Sequence, residues 1–172
     1  LQSRASNWLI WLSSFTILAA SIIAISKDDL KARLAYSTIS QLSYIILGAA
    51  LATSFALKGA SFHIITHAIG KITLFFCAGA IYVTAHVKKV SDLGGLGFKT
   101  PMIFFAYTLG ALSIIGVPPF VGSWSKLFLV IGSLQADFLF IAILLGVSSL
   151  LNIYYLLQPV FIDFNKKNMK DI

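Results

Sequence analysis

Long apolar runs separated by short charged loops constrain this chain more than any other feature of its sequence. Residues 7–25, for example, contain no charged side chain, and about 20 apolar residues are enough for a helix to cross a bilayer. Only 11% of the 172 residues are charged and 58% are hydrophobic, whereas a water-soluble domain has about 25% charged residues. The sequence therefore predicts an all-α integral membrane protein.

Five membrane-spanning segments account for the apolar runs. The fourth is unusual, because a continuous helix of its length would measure about 50 Å against a hydrocarbon core of about 30 Å. Within it, Pro118 and Pro119 in "GVPPFVG" remove two backbone donors, so we predict one span made of two half-helices. The whole chain, 1–172, is predicted as one membrane domain with a polar cytoplasmic tail at 162–172 and spans at 7–25, 30–53, 56–84, 101–135 and 138–161.

The charge distribution predicts the orientation of these spans. The formal net charge is +7, and cytoplasmic loops of membrane proteins collect Lys and Arg, so topology explains the excess and no nucleic-acid partner is expected. The prediction places the N-terminus outside and the C-terminus in the cytoplasm, across a bacterial inner membrane, with an organellar inner membrane as the alternative. Alternating the loops assigns Arg4 and Lys58 to one side and nine basic residues to the other: Lys27, Lys31, Arg33, Lys88, Lys89, Lys99, Lys166, Lys167 and Lys170.

The third span carries three titratable groups at intervals of four residues. His63, His67 and Lys71, in "FHIITHAIGK", fan over roughly 80° of one helix face and climb about 12 Å along it. Ionisable residues inside a membrane usually face the bundle interior and mark ion pathways or proton relays. His63 could instead be a satisfied hydrogen-bonding residue, but Lys71 lies too deep in the span to extend its amine to the membrane surface.

Two further sets of polar residues accompany this motif. Lys126 follows the predicted helix break, where free backbone groups are tolerated only next to protein or a watery cavity; the alternative is an interfacial anchor paired with Trp124. Ser37, Gln41 and Tyr44 share one face of the second span. That face is either a close-packing surface or a hydrated, hydrogen-bonding one.

Several kinds of chemistry have no support in the sequence. The single Cys77 allows no intrachain disulfide, and the His63–His67 pair lacks a nearby third metal ligand. No nucleophile, base and acid set is present, so no enzymatic activity of the chain itself is predicted and none of the flavin, haem or nicotinamide cofactors is expected. The glycine-containing stretch "AHVKKVSDLGGLGFKTP" is predicted to be a flexible connector.

Three motifs in order resemble a known family. "KDDLKARLAYSTISQLSYIILG", "FHIITHAIGKITLFFCAGAI" and "LSIIGVPPFVGSWSK" are similar to the antiporter-like membrane subunits that respiratory complex I (NADH:quinone oxidoreductase) shares with Mrp-type multisubunit cation/proton antiporters, and most similar to the D-type subunit of the Mrp antiporters. The resemblance implies inverted repeats of five transmembrane helices, each with one broken helix. This chain would match the second repeat alone, with the first repeat and its glutamate and lysine missing, and would therefore be a fragment, a split-gene product or a decayed copy.

The resemblance also implies roles for particular residues. His63, His67 and Lys71 would form the central proton relay, and Lys126 would be the lysine of the broken helix. Lys31 falls on a basic position often seen in the family. The implied partners are other membrane subunits, the lipid bilayer and protons, with Na⁺ as a second candidate ion, and no cofactor.

Three functions are compatible with these observations. The first is a proton-translocating partial subunit of a cation/proton antiporter. The second is a membrane-arm subunit of NADH:quinone oxidoreductase, which would make the chain part of a proton-translocating NADH dehydrogenase. The third is a degenerate five-helix scaffold that packs against partner subunits without moving ions.

Overall fold

Helices make up almost all of the part of the chain that the structure describes. The structure is a computed structural model that describes residues 4–165, with side chains from 7 to 163. Four of these helices are long and apolar enough to cross a membrane, which confirms the predicted all-α membrane class. The helices are α1 (Arg4–Ser26), α2 (Leu30–Leu51), α3 (Ser54–Ala85), α4 (Leu96–Lys99), α5 (Pro101–Ile115), α6 (Val121–Gln135) and α7 (Leu139–Asn165).

Short polar side chains start the two helices that carry most of the buried polar residues. The Asp29 carboxylate accepts a 2.8 Å hydrogen bond from Ala32 N at the start of α2. Thr53 Oγ1 accepts from Ala56 N at the start of α3, at 3.2 Å. Such caps satisfy backbone donors that have no partner within the helix. They therefore fix where α2 and α3 begin, although both helices are mostly apolar.

The fourth span is broken as the sequence predicts. Half-helix α5 ends at Gly116, whose φ of 88° lies in the left-handed region that favours glycine. The chain then passes through Pro118 and Pro119, joined by a cis peptide bond, before α6 begins. Each half-helix has 15 residues, about 22 Å at 1.5 Å per residue. Neither half alone crosses the hydrocarbon core, so the two together form one span.

Helix α3 is the central element and packs against α2, α5 and α6. Glycines permit the close approach: a Cβ on Gly59 would lie 2.8 Å from Leu129 N of α6, and one on Gly70 would lie 2.6 Å from Ile114 Cγ1 of α5. Small residues serve this purpose in membrane helix packing generally. The outward faces remain apolar and exposed, as for Phe76 at 75%, which suits contact with lipid tails.

The connector between α3 and α5 is ordered, and the predicted flexible loop is therefore wrong. It contains a 3₁₀ turn, Val90–Asp92, followed by α4. Its anchor is Asp163 in α7, whose Oδ1 accepts from Gly97 N at 2.6 Å and whose backbone carbonyl accepts from Gly95 N at 3.2 Å. Since α7 continues to Asn165, the predicted tail at 162–172 starts inside a helix. Its remaining residues, with Lys166, Lys167 and Lys170, lie outside the described residues, as does the side chain of Arg4.

Candidate functional site

Buried polar side chains of α2, α3, α6 and α7 meet inside the bundle, between two apolar clusters. One cluster surrounds Leu34, Leu74 and Tyr107, and the other surrounds Leu47 and Leu129. The polar residues between them include the four titratable residues that the sequence predicts as site residues. These are Lys71, His67 and His63 of α3 and Lys126 of α6. These four residues form a row that runs from the middle of α3 to the helix break before α6.

Lys71 lies inside the protein and contacts α2. Its side chain is only 5% exposed, and Nζ donates to the backbone carbonyl of Leu34 at 3.1 Å and to Ser37 Oγ. Both acceptors are neutral. An amine held by neutral acceptors in a low-dielectric interior can exist in charged and uncharged forms, so this position suits a group that gains and loses a proton.

The two histidines continue the row along α3. The ring centroids of His67 and His63 are 6.2 Å apart, and the side chains are 8% and 2% exposed. Among the described residues, neither Nε2 atom has a hydrogen-bond partner. Buried polar atoms without a protein partner are commonly satisfied by ordered water, so both rings offer a site where water can bridge to the next group.

A serine of α6 contacts His63, and its hydrogen bond to its own helix favours one tautomer of the ring. Ser125 Oγ donates to the Gly122 carbonyl at 2.9 Å and lies 3.1 Å from His63 Nδ1. A hydroxyl has a single proton, so with that proton on Gly122 the oxygen accepts from Nδ1–H. The lone pair of the neutral imidazole is then on Nε2, the atom without a protein partner, and His63 is arranged to accept a proton there.

Lys126 closes the far end of the row at the helix break. Its side chain is half-buried, and Nζ donates to the Ile115 carbonyl at 2.8 Å. In a continuous helix that carbonyl would accept from residue 119, but Pro119 has no N–H. The Lys126 amine therefore takes the place of the backbone N–H donor that Pro119 lacks. It also lies 5.6 Å from the centre of the Tyr44 ring.

The polar face of α2 is buried inside the protein. Ser37, Gln41 and Tyr44 are each 0% exposed, and the Tyr44 ring stacks on His63 with centroids 5.4 Å apart. Ser37 bonds to Lys71, and Tyr44 lies between His63 and Lys126. The face therefore combines both interpretations: Tyr44 packs on His63 and Ser37 bonds to Lys71, whereas Gln41 Oε1 and the Tyr44 hydroxyl have no partner among the described residues.

Two polar residues complete the surroundings and were not identified as site residues from the sequence. Asn152 of α7, oriented with its amide oxygen toward α2, accepts from Gln41 Nε2 at 2.8 Å and from Lys126 Nζ at 3.1 Å. In the sequence, Asn152 is distinguished only as a single Asn within an apolar run.

Arg33 is the second of these residues. It is 3% exposed and donates to Gln158 Oε1 at 2.6 Å and to the Lys27 carbonyl at 2.9 Å. No local pattern distinguishes it from the loop lysines.

Lys31 does not join the row. It is exposed, and its amine lies 5.4 Å from the centre of the Tyr82 ring at the end of α3. The structure thus brings together Lys71, His67, His63 and Lys126 with Ser37, Gln41 and Tyr44, and leaves Lys31 at the edge of the bundle.

The fold and this interior define a multi-pass integral membrane protein with a line of titratable side chains buried across its bundle. Residues 1–152 match the model of the family described as NADH:quinone oxidoreductase/Mrp antiporter, transmembrane. The chain belongs to this family, and the resemblance of its motifs to the antiporter-like subunits is confirmed.

Similar proteins come from both branches of the family. The chain is 42% identical over 151 residues to NADH-quinone oxidoreductase subunit N of Desulforudis audaxviator, covering 87% of this chain and 30% of that protein. The structure of the Mrp complex from a Dietzia species superposes with a TM-score of 0.89 at 31% identity, covering 94% of this chain and 30% of the matched one. An archaeal membrane-bound sulfane sulfur reductase superposes equally well, with a TM-score of 0.89 at 26% identity, covering 97% of this chain and 34% of that one. The chain therefore spans about a third of the length of each of these three proteins.

Proposed function

We propose that this chain is the part of an antiporter-like membrane subunit in which protons move between Lys71 and Lys126. The observation that carries the proposal is the placement of two interior amines at the ends of a row whose middle members, His67 and His63, are imidazoles. Both histidines have a buried Nε2 atom with no partner among the described residues. A row of groups that each accept and release a proton is suited to a relay.

We propose an order of transfer along the row that is compatible with these contacts. Lys71, held by the Leu34 carbonyl and Ser37, passes a proton to His67 and accepts one in turn. His63 accepts at Nε2 because Ser125 keeps the other nitrogen protonated. The His63 imidazolium then releases its Nε2 proton, and the Tyr44 hydroxyl, which is buried without a partner in the described structure, accepts it while releasing its own proton to the neutral amine of Lys126 at the break.

The orientation proposed from the charges agrees with the positions of the described lysines. Backbone hydrogen bonds join the start of α2 to the segment after α3, with Leu30 N donating to the Lys88 carbonyl. Lys27, Lys31, Lys88 and Lys89 therefore lie at one end of the bundle, and Lys58 lies at the start of α3 near the other. We propose that the lysine-rich end faces the cytoplasm, or the corresponding side of an organelle, as the preference for positive residues inside predicts.

Two assemblies remain candidates for the complete protein, each with other membrane subunits as partners. Sequence identity of 42% to an NADH-quinone oxidoreductase subunit favours the membrane arm of a complex I-type enzyme. The superposition on an Mrp complex at 31% identity favours a cation/proton antiporter. In that assembly, we propose that the complete protein would be the D-type subunit. Redox-driven proton uptake that needs NADH and quinone, measured with the purified complex in vesicles, would assign the first. Proton flux driven by a Na⁺ gradient alone would assign the second.

Substitution of the two amines tests the relay itself. Lys71→Met and Lys126→Met, introduced into the full-length subunit within its complex, are expected to reduce proton flux in vesicles by about a hundredfold, the usual contribution of a positioned proton-transfer group. Lys58→Met is the matched control, because Lys58 is exposed and lies outside the row. Undiminished flux in both interior variants, with assembly intact, would show that the chain is a scaffold.

A further inference from the structure

Two lysines and a tyrosine form a small cavity at the lysine-rich end of the bundle, away from the row of titratable residues. The amines of Lys31 and Lys88 lie 5.4 and 5.0 Å from the centre of the same ring, that of Tyr82. The cavity has a volume of about 310 Å³, and its remaining lining residues are Asp29, Leu30, Ala78 and Val87. Two like charges thus converge on one aromatic ring beside a space large enough for a small polar group.

The backbone holds the two lysines in this arrangement. Leu30 N donates to the Lys88 carbonyl at 2.9 Å, and Val90 N donates to the Asp28 carbonyl at 2.7 Å. Together these bonds pair the start of α2 with the segment after α3, in the manner of a short antiparallel bridge. These backbone bonds keep the main chains that carry Lys31 and Lys88 next to each other, on either side of the pairing, and both amines lie close to the ring of Tyr82.

The charge of the cavity favours an anion. Lys31 and Lys88 supply two positive groups, whereas Asp29 is the single acid in the lining, and its Oδ1 already accepts from Ala32 N as the cap of α2. Binding an anion between the amines would relieve their mutual repulsion. The ring of Tyr82, in the last turn of α3, has the position of the aromatic residues that lie at the headgroup level of a bilayer.

The position of the cavity identifies the source of the anion. The cavity lies where the apolar span of α2 begins and that of α3 ends, and its other walls, Leu30, Ala78 and Val87, are apolar. Basic pockets between transmembrane helices at this level bind the headgroups of acidic lipids. We propose that Lys31, Lys88 and Tyr82 form a binding site for the phosphate group of an anionic phospholipid. The site is independent of the proposed proton relay.

The test compares lipid binding by matched lysine variants of the full-length subunit. In nanodiscs of phosphatidylcholine with added phosphatidylglycerol, native mass spectrometry counts the bound anionic lipids. Each lysine near such a headgroup contributes about fivefold to affinity. The Lys31→Gln/Lys88→Gln variant is therefore expected to bind phosphatidylglycerol about thirtyfold more weakly. Lys58→Gln is the control, because Lys58 also lies 5.4 Å from an aromatic ring, that of Phe55, which no second lysine of the described residues shares.

The outcomes separate the lipid from other sources of phosphate. Loss of one tightly bound phosphatidylglycerol in the double variant, with Lys58→Gln unchanged, supports the site. Equal binding by all three proteins overturns it, and so does complete displacement of the lipid by millimolar inorganic phosphate, which would assign the cavity to a soluble anion. If the double variant does not fold, the two single variants decide, since each is expected to bind about fivefold more weakly.

Discussion

Lys126 Nζ donates to the carbonyl of Ile115, the acceptor that Pro119 leaves without its helical donor. The helix break therefore supplies the carbonyl acceptor that positions the amine of Lys126. The same contact explains why a basic side chain is found inside the bundle seven positions beyond the last residue of the prolyl pair. It also makes the position of the amine dependent on the identity of residue 119.

Restoring the missing backbone donor should weaken this contact. Pro119→Ala supplies an N–H that competes for the Ile115 carbonyl, so Lys126 loses its acceptor for part of the time. We expect proton flux to fall severalfold in vesicles while the complex still assembles. Pro101→Ala is the matched control, because Pro101 is the exposed first residue of α5 and a helix needs no donor there. Equal flux in the two variants would contradict the role of the break.

Ser125 should influence transport through the tautomer of His63. Ser125→Ala removes the oxygen that accepts from Nδ1–H, so the proton of the neutral ring is free to move to Nε2 and block the accepting atom. We expect flux to fall about tenfold or more, within the range for a disturbed proton-transfer group. Ser133→Ala is the control in the same helix, since Ser133 is also 0% exposed and, in the described part of the chain, its hydroxyl donates to the Val130 carbonyl of its own helix. Identical flux in both variants would argue against a fixed tautomer.

The packing of α3 against α6 predicts a difference between two glycines of the same helix. A Cβ at position 59 would lie 2.8 Å from the backbone nitrogen of Leu129, whereas a Cβ at position 79 meets nothing within 4 Å. We expect Gly59→Ala to lower the free energy of unfolding by about 1–3 kcal/mol, the usual cost of overpacking. Gly79→Ala should leave it unchanged or raise it by up to about 1 kcal/mol through helix propensity. Denaturation in detergent, followed by circular dichroism, measures both.

The loop at the lysine-rich end predicts a pH-dependent contribution to stability. Hydrogen bonds from the Ser91 side chain and backbone hold the pKa of the exposed Asp28 below its ordinary value of 3.8. Because the folded-state pKa is lowered, the contact stabilises the fold fully above pH 3.8 and its contribution is lost as the pH falls through the lower folded value. Asp28→Asn should therefore reduce the melting temperature slightly at pH 7 and have less effect near pH 3. Asp137→Asn, in a turn at the opposite end, is the control.

Sequence periodicity identified the titratable residues but not the contacts between helices. The intervals of four residues between His63, His67 and Lys71 place them on one face, and the structure buries that face. The contact of His63 with Ser125 joins α3 to α6, and no spacing within one helix reveals which residue of another helix it meets. The helix break was predictable because length and proline content are local properties.

The positions of Lys31 and Arg33 show where local patterns fail. Both residues lie in the first turn of α2, and two positions of separation place them on nearly opposite faces of a helix. Lys31 faces outward and Arg33 is buried beside Gln158. Which of the two faces is covered depends on where α7 packs, and that is decided by the whole bundle. The sequence therefore favoured Lys31, on the basis of the family resemblance, and missed Arg33.

The anchor between Asp163 and the connector has a mechanical consequence. Because Gly95 and Gly97 are tied to Asp163, the end of α7 and the start of α5 are coupled through the short helix α4. Half-helix α5 would then transmit a displacement of its first residues to Ile115, the last residue of this half-helix. We expect a sideways displacement of α7 by a neighbouring subunit to move Ile115 and, through its hydrogen bond, the amine of Lys126. Motion outside this segment would then reach the end of the row at which we propose that protons are exchanged.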